Sequence, residues 1–324
     1  MKTKLTNVLK IQHPILLAPM GTVAGGELAR AVSQAGGLGL IGGGYGDAEW
    51  LRREFTIAAD ARVGCGFITW SLAQKRELLD LVLDLRPAAV MLSFGDLAPF
   101  ASKIRAASAK LICQVQSVSM AREAIDAGAD VIVAQGSEAG GHGLTRSTFT
   151  LVPEIADLLT ARSPSTVLVA AGGVADGRGL AAALVLGADG VLVGTRFWAS
   201  AEAIVPQTFQ AAAVAADGDC TVRTTVVDIA RSIDFPKPFT ARVLKTAFAM
   251  EWHGRESDLA EPQTQIRQQA RYWEAYRRGD PTNTCLLVGE AIGLIHEVQQ
   301  ARTIIETMVR EAVRLVPHHS AAAS

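Results

Sequence analysis

One histidine stands among glycines in the segment QGSEAGGHG, which covers residues 135–143. Gly140, Gly141 and Gly143 flank His142, so the backbone around it is nearly bare. An imidazole titrates near neutral pH and can therefore act as a general base or acid. A solitary histidine is more often structural, but glycine neighbours offer it little packing. We therefore predict that His142 is a catalytic residue.

Two further glycine segments have the character of an anion site. AAGG ends at Gly173 and VGT ends at Thr195, and each follows an apolar run typical of a buried strand. Backbone N–H groups approach an anion closely only where side chains are absent. Tight turns would explain either segment alone. Both together favour a phosphate site formed by Gly172, Gly173, Gly194 and Thr195, for a substrate or a cofactor such as FMN.

The elements that position these residues follow one repeating pattern. Over about the first 200 residues, apolar runs rich in Val, Ile and Leu alternate with amphipathic segments of helical length. Continuous apolar strands are typical of a parallel sheet covered on both faces. Eight such units predict a (β/α)8 TIM barrel in the α/β class. The predicted strands are 15–20, 38–43, 62–69, 88–94, 110–115, 130–136, 166–173 and 189–197.

An open doubly wound sheet is the alternative fold. The string GLGLIG, residues 37–42, satisfies the GxGxxG pattern of dinucleotide-binding proteins. That pattern requires its glycines at the turn from the first strand into a helix. Here they fall before and within the second predicted strand, and the first strand is followed by APMGTVAGG. The barrel is therefore favoured.

The last third of the chain is less regular. We predict that residues 1–200 and 298–316 form the barrel and that 201–297 form a smaller helical region on the substrate side. The apolar stripe of 298–316 is typical of the eighth barrel helix, displaced by the insertion. Packing is favoured over substrate contact for three aromatic residues of the insertion, although both remain open: Trp252, Trp273 and Tyr276.

Barrel enzymes place their active sites at the carboxyl ends of the strands. This rule selects candidates without reference to any other protein. Arg196, next to the presumed phosphate loop, could contact the anion or brace the loop. The remaining candidates at strand ends are Ala18, Pro19, Met20, Gly66, Gln114 and Gln135.

Composition excludes several classes of function. A formal net charge of −1 gives no support for a nucleic-acid partner. The four cysteines form no CxxC pair, so we expect neither a metal site nor a disulfide framework. No apolar run approaches the roughly 18 residues of a membrane helix, and the N-terminal segment does not resemble a signal peptide. We expect a cytoplasmic protein without a membrane partner.

Several motifs resemble those of the nitronate monooxygenase family, formerly called 2-nitropropane dioxygenases. They occur in the family's order between about residues 11 and 296. The pair EAGGHG and AAGG…GTRF is the most specific. The matching strings are PILLAPM, VGCGFITW, QVQSV, QGSEAGGHG, AAGGVADGRGLAAALVLGADGVLVGTRF and VGEAIGLI.

This resemblance implies an FMN-binding barrel that oxidises an alkyl nitronate with O₂ to a carbonyl compound and nitrite. Neutral nitroalkanes are a possible second substrate, and the protein would be a monomer or a homodimer. His142 would be the catalytic base or the group that positions the substrate. The implied FMN phosphate site consists of Gly172, Gly173, Gly194 and Thr195. The flavin ring would lie near Ala18, Pro19, Met20, Gln114 and Gln135, and the other implied cofactor-binding residues are Gly66, Gly140 and Gly141.

The sequence departs from the family pattern at two positions. Some bacterial members have Asn at the end of strand 3 and Lys on strand 5, where this chain has Gly66 and Gln114. It therefore resembles a different branch, and the substrate stays open. The alternatives are an FMN-dependent NAD(P)H oxidoreductase of the quinone reductase or enoyl-acyl-carrier-protein reductase type, and a non-catalytic barrel that binds a phosphate ligand.

Overall fold

A computed structural model describes residues 1–316 of the chain. Parallel strands form a barrel, and three short antiparallel strands form a second sheet. The strands are β1 (Ile15–Leu17), β2 (Leu40–Gly44), β3 (Gly64–Ile68), β4 (Ala89–Ser93), β5 (Lys110–Val115), β6 (Val131–Gln135), β7 (Gly141–Gly143), β8 (Val167–Ala171), β9 (Gly190–Val193), β10 (Thr221–Thr224) and β11 (Thr240–Leu244).

Helices surround the barrel and build most of the region above it. Among residues 1–316, no helix is both long and apolar enough to cross a bilayer. The helices are α1 (Lys4–Leu9), α2 (Gly26–Gln34), α3 (Ala48–Ile57), α4 (Thr69–Leu72), α5 (Glu77–Asp84), α6 (Ala98–Ala106), α7 (Val118–Asp126), α8 (Thr148–Arg162), α9 (Gly177–Val185), α10 (Thr195–Trp198), α11 (Gln207–Val214), α12 (Val226–Ala230), α13 (Ala247–Trp252), α14 (Glu256–Leu259), α15 (Pro262–Arg278) and α16 (Ala301–Leu315).

The eight parallel strands run in the order β1-β9-β8-β6-β5-β4-β3-β2. The two edge strands meet just before β2, where Leu16 pairs with Leu38. The N–H of Leu17 donates to the carbonyl of Leu38 at 3.0 Å, which closes the ring. The predicted (β/α)8 barrel is therefore confirmed. Two strands end three or more residues earlier than predicted, at Leu17 and at Val193. A loop follows the first of them, and Gly194 and the short helix α10 follow the second.

Alternate side chains of the strands fill the barrel. Leu16, Ile112 and Val133 point into the interior cluster, while their strand neighbours pack against the surrounding helices. Leu5 and Leu9 of α1 belong to the same interior cluster. They close the end at which the strands begin. The opposite end, where the strands finish, is left for the site.

The final helix completes the outer ring. α16 packs against α9 and α2 and so occupies the position of the eighth barrel helix, between the seventh helix and the first. The two helices approach closely, because a Cβ on Gly177 at the start of α9 would lie 2.6 Å from the carbonyl oxygen of Met308 in α16.

The glycines of GLGLIG allow close packing of a helix on the barrel and do not form a nucleotide-binding turn. A Cβ on Gly39 would lie 1.9 Å from the carbonyl oxygen of Ala29, where α2 crosses β2.

We call residues 201–297 the cap. Besides helices, the cap contains β10 and β11, which pair with each other and, through β11, with β7. These two strands were not predicted, because TVRT and TARVL are only four and five residues long and contain no continuous apolar run. The third strand of this sheet, residues 141–143 of the glycine–histidine segment, was not predicted either.

Candidate active site

The cap sheet fixes the backbone of His142. His142 lies at the centre of β7 and pairs with Ala241 of β11. Gly141, which precedes it, has a φ of +73°, a conformation that side chains disfavour. The chain leaves β6 in the barrel, turns through the glycines and joins a sheet of the cap. His142 is therefore held at the junction of the two parts.

Asp228 of α12 is the partner of this histidine. Nε2 of His142 lies 2.9 Å from Oδ1 and 3.0 Å from Oδ2 of Asp228. The side chains are only 8% and 5% exposed. In a neutral imidazole, Nε2–H donates to the carboxylate, so Nδ1 has the free lone pair. Nδ1 makes no hydrogen bond within residues 1–316 and keeps part of its surface accessible.

The expectation that glycine neighbours leave His142 without packing is wrong. The ring of Phe235 stacks on the imidazole, with 3.5 Å between centroids and 3° between planes. Phe94, at the end of β4, approaches the imidazole edge-on at 6.2 Å. His142 is 9% exposed overall. The side chains that pack against His142 come from distant parts of the sequence, so the residues that flank His142 give no indication of this packing.

Phe94 and Phe235 form an aromatic wall beside His142, and rings from other strand ends extend it. Trp70 lies 5.7 Å from Phe235 and 5.9 Å from Tyr45, which follows β2. The guanidinium of Arg231 lies over Tyr45 at 5.8 Å and over Trp273 at 5.7 Å. Burial raises the pKa of Tyr45 to about 12, so its phenol stays neutral. The wall is thus apolar beside His142 and cationic at its far side.

Two predicted glutamines meet beside β6. Oε1 of Gln135 accepts hydrogen bonds from Nε2 of Gln114, at 3.1 Å, and from Nε2 of Gln116, at 2.8 Å. Gln116 was not predicted, because it lies just beyond the end of β5. These bonds fix the amide of Gln135 with its NH₂ group turned away from the other two side chains.

The ends of β1, β3 and β9 also converge. A Cβ on Gly194 would lie 3.7 Å from Cβ of Ala18 and 3.8 Å from Sδ of Met20. A Cβ on Gly66 would lie 2.2 Å from Cγ of Pro19, so only glycine fits beneath that proline. The predicted residues at the ends of β1, β3 and β9 therefore line one continuous surface.

The two glycine segments form a cradle with unpaired donors. Gly172 and Gly173 have φ values of +97° and +77°. Within residues 1–316, the N–H groups of Gly173, Gly194 and Thr195 have no protein acceptor. The hydroxyl of Thr195 accepts from the N–H of Gly289 at 2.9 Å, and its own hydrogen remains available. This set of donors fits a phosphate group.

Glu138 and Gly140 make structural contacts around the glycine–histidine segment. The carboxylate of Glu138 accepts from the N–H of Thr148 at 3.0 Å and therefore caps α8. A Cβ on Gly140 would lie 2.6 Å from the N atom of Gly289, so this glycine allows close packing with the cap. The N–H of Glu290 donates to the carbonyl of Glu138 at 2.9 Å. Segment 288–290 thus contacts the histidine segment as well as Thr195.

Two cap arginines hold the same segment. Arg223 donates through Nη1 to the carbonyl of Ser137 at 3.2 Å, and Arg242 donates to it through Nε at 2.9 Å. Arg242 also forms an ion pair with Glu290 at 2.8 Å. Burial, together with the neighbouring charge of Arg242, lowers the pKa of Arg223 to about 10. Both arginines fix the turn that leads to His142.

Arg196 braces its loop and does not serve the cradle. Its Nη2 donates to the carbonyl of Ala199 at 3.0 Å and to that of Glu297 at 2.8 Å. Burial lowers the pKa of this guanidinium. Of the three cap aromatics singled out in the sequence, Trp252 and Tyr276 pack within the cap, whereas Trp273 also contacts Arg231. Trp252 lies in a cap core cluster, and the ring of Tyr276 lies 5.4 Å from that of Phe209.

A comparison with protein families shows which family the chain belongs to. The family model described as nitronate monooxygenase matches residues 2–63 and 66–311. The chain belongs to the nitronate monooxygenase family. Members of this family are flavin-dependent oxidoreductases, which confirms the resemblance found in the sequence.

Individual relatives agree with the family assignment. The chain is 35% identical over 326 residues to nitronate monooxygenase npaC of Metarhizium robertsii, covering 90% of this chain and 88% of that protein. It is similar to the structure of FabK from Thermotoga maritima, with a TM-score of 0.84 and 33% identity over 97% of each chain. It is also similar to nitroalkane oxidase from Streptomyces ansochromogenes, with a TM-score of 0.80 and 25% identity over 97% and 99% of the two chains.

Proposed function

We propose that this protein binds FMN and oxidises alkyl nitronates with O₂, giving a carbonyl compound and nitrite. The observation that supports it most is the His142–Asp228 pair, buried at the strand-end mouth of the barrel in a chain of the nitronate monooxygenase family. A small organic substrate and O₂ are the implied partners.

The glycine cradle suits the phosphate of FMN. Gly172, Gly173, Gly194 and Thr195 would hold it through backbone N–H groups and one hydroxyl. When bound, FMN would supply the redox chemistry, taking electrons from the nitronate and passing them to O₂. The ring would lie against residues from the ends of β1, β3, β5 and β6 and the segment after β6, namely Ala18, Pro19, Met20, Gly66, Gln114, Gln135, Gly140 and Gly141.

His142 supplies the proton chemistry. With Nε2–H donated to Asp228, the lone pair on Nδ1 can remove the proton next to the nitro group of a neutral nitroalkane. The carboxylate then stabilises the imidazolium that forms. A substrate that arrives as the nitronate needs no such step. For that substrate the protonated ring would position the anion, with Nδ1–H donating to a nitronate oxygen while Asp228 balances the charge.

The aromatic rings around His142 keep the reacting carbon dry. Phe94 and Phe235 cover the imidazole, and Trp70 extends the apolar surface. Excluding water strengthens each electrostatic contact within the site. It also prevents reprotonation of the nitronate carbon.

One experiment tests the proposal directly. The purified protein is denatured, and the released flavin is identified by mass as FMN or FAD. The flavin-loaded protein is then mixed anaerobically with ethyl nitronate or with NADH, and the flavin absorbance near 450 nm is followed. We expect bleaching by ethyl nitronate alone, with nitrite formed after air is admitted. Bleaching by NADH alone would favour the NAD(P)H oxidoreductase, and a protein that binds no flavin would favour the non-catalytic barrel.

A further inference from the structure

We propose that Phe235 sets the size of the substrate by occupying the space next to the imidazole, so that the enzyme prefers nitronates with small substituents. This inference rests on the proposed function and concerns which nitronate the same site accepts. It begins with the stacking of Phe235 on His142, at 3.5 Å and 3°.

At that distance one face of the imidazole is fully covered. No atom of a substrate fits between two rings in van der Waals contact. Nε2 is bonded to Asp228, so Nδ1 is the ring nitrogen left for a substrate to contact. A group that contacts Nδ1 lies near the plane of the imidazole, and the ring of Phe235 lies parallel to that plane at 3.5 Å. The reacting carbon and its substituents therefore lie beside the edge of the Phe235 ring.

The ring of Phe235 cannot easily give way. It is 8% exposed and is contacted by three other aromatic rings. Phe94 lies at 5.4 Å, Trp70 at 5.7 Å and Phe239 at 6.0 Å, each at a steep angle to it. Such edge-to-face contacts hold a ring in one orientation. A bulky substituent on the nitronate carbon would have to displace this whole arrangement.

Removing the ring should leave usable space. The neighbours of Phe235 are large, mutually braced rings, which collapse into a void less readily than flexible side chains do. The void would adjoin the accessible nitrogen of His142. A larger apolar substituent of the substrate could then occupy the position of the deleted ring.

The test compares two substrates in a series of variants. The kcat/KM for the nitronate of phenylnitromethane is divided by that for ethyl nitronate in the wild type, Phe235→Leu and Phe235→Ala. We expect this ratio to rise by about tenfold or more from the wild type to Phe235→Ala, with Phe235→Leu between them. A ratio corrects for any general loss of activity, because misplacement of His142 would affect both substrates.

Phe239→Ala is the matched control, because it removes the same ring from the same loop without contacting His142. Its ratio should stay within about twofold of the wild type, because Phe94 and Trp70 still hold the ring of Phe235. An unchanged ratio in both Phe235 variants, or an equal rise in Phe239→Ala, would overturn the inference while leaving the proposed function intact. If the wild type oxidises neither nitronate, the proposed function itself fails.

Discussion

The two carboxylate oxygens of Asp228 lie 2.9 and 3.0 Å from Nε2 of His142, although 86 residues separate them in sequence. Both oxygens face the same nitrogen, so the carboxylate determines which imidazole nitrogen has the hydrogen. The free lone pair is thereby assigned to Nδ1.

Replacing His142 by Ala should separate two kinds of substrate. A neutral nitroalkane needs a base, whereas a nitronate has already lost the proton. We expect His142→Ala to lower kcat/KM for nitroethane by roughly 10²- to 10⁴-fold, the usual contribution of a general base. The loss for ethyl nitronate should be smaller, and flavin content should equal that of the wild type. Equal losses for both substrates would instead assign His142 to binding alone.

Asp228→Asn should reproduce part of this effect. The amide is nearly isosteric, but it has no negative charge and no longer enforces one tautomer. We expect kcat/KM for nitroethane to fall by about 100-fold, with a smaller change for ethyl nitronate. The melting temperature should be compared with that of the wild type, because the pair is buried. Wild-type turnover of nitroethane by this variant would remove Asp228 from the mechanism.

Gly194→Ala tests the cradle without disturbing the rest of the fold. Gly194 has a φ of −103°, and an added Cβ would meet only Ala18 and Met20, at 3.7 and 3.8 Å. These are ordinary contacts, so the flavin-free protein should keep its melting temperature. If a phosphate lies against this backbone, the methyl group should weaken FMN binding by about tenfold or more.

The readout for Gly194→Ala is a titration of FMN fluorescence into the flavin-free protein. Thr195→Ser and Thr195→Ala form a matched pair, because only the former keeps the hydroxyl. Full FMN affinity in both Gly194→Ala and Thr195→Ala would place the phosphate elsewhere.

The cysteines should differ sharply in reactivity. Burial raises the pKa of Cys113 and of Cys285 to about 12, and it raises that of Cys65 as well. At pH 8 a thiol with a pKa of 12 is ionised to only about one part in 10⁴, and the thiolate is the reactive form. Cys220 alone is partly exposed.

A disulfide reagent such as DTNB should therefore label one thiol per native chain at pH 8, and all four after denaturation. Raising the pH to 9 should not recruit the buried thiols, because their pKa values lie far above it. The variant Cys220→Ser should be unlabelled in its native state. Rapid labelling of a second thiol would mean that the barrel or the cap opens readily.

The barrel was predictable because its signal is local. Each strand is a continuous apolar run such as VIVA or TVLVAA, and the rule that sites lie at strand ends then selects residues such as Gln135 and Gly194. The observed strands differ from the predicted ones mainly at their ends. Such differences arise where the loop residues are as apolar as the strand before them, as are Ala18, Pro19 and Met20 after Leu17.

The partners of His142 were not predictable in this way. Asp228 stands in VVDIA, a short apolar helix, and nothing in its neighbours distinguishes it from a surface carboxylate. Phe235 lies in a proline-containing loop, where an aromatic residue would ordinarily indicate packing. Asp228 and Phe235 come close to His142 only because β7 pairs with β11, a contact between residues about 100 positions apart. No periodicity or spacing in a single sequence indicates such a contact.

The pairing of β7 with β11 has one further consequence. The phosphate cradle stands on the ends of barrel strands, whereas His142 hydrogen-bonds into a sheet of the cap. The proposed phosphate site and His142 are thus held mainly by different parts of the fold, although the N–H of Gly289 links the cap to Thr195. A shift of the cap sheet would move His142 and Phe235 together relative to a phosphate bound in the cradle. Substitutions in the cap sheet that leave Gly289 in place can therefore change the orientation of His142 with little effect on the proposed phosphate site.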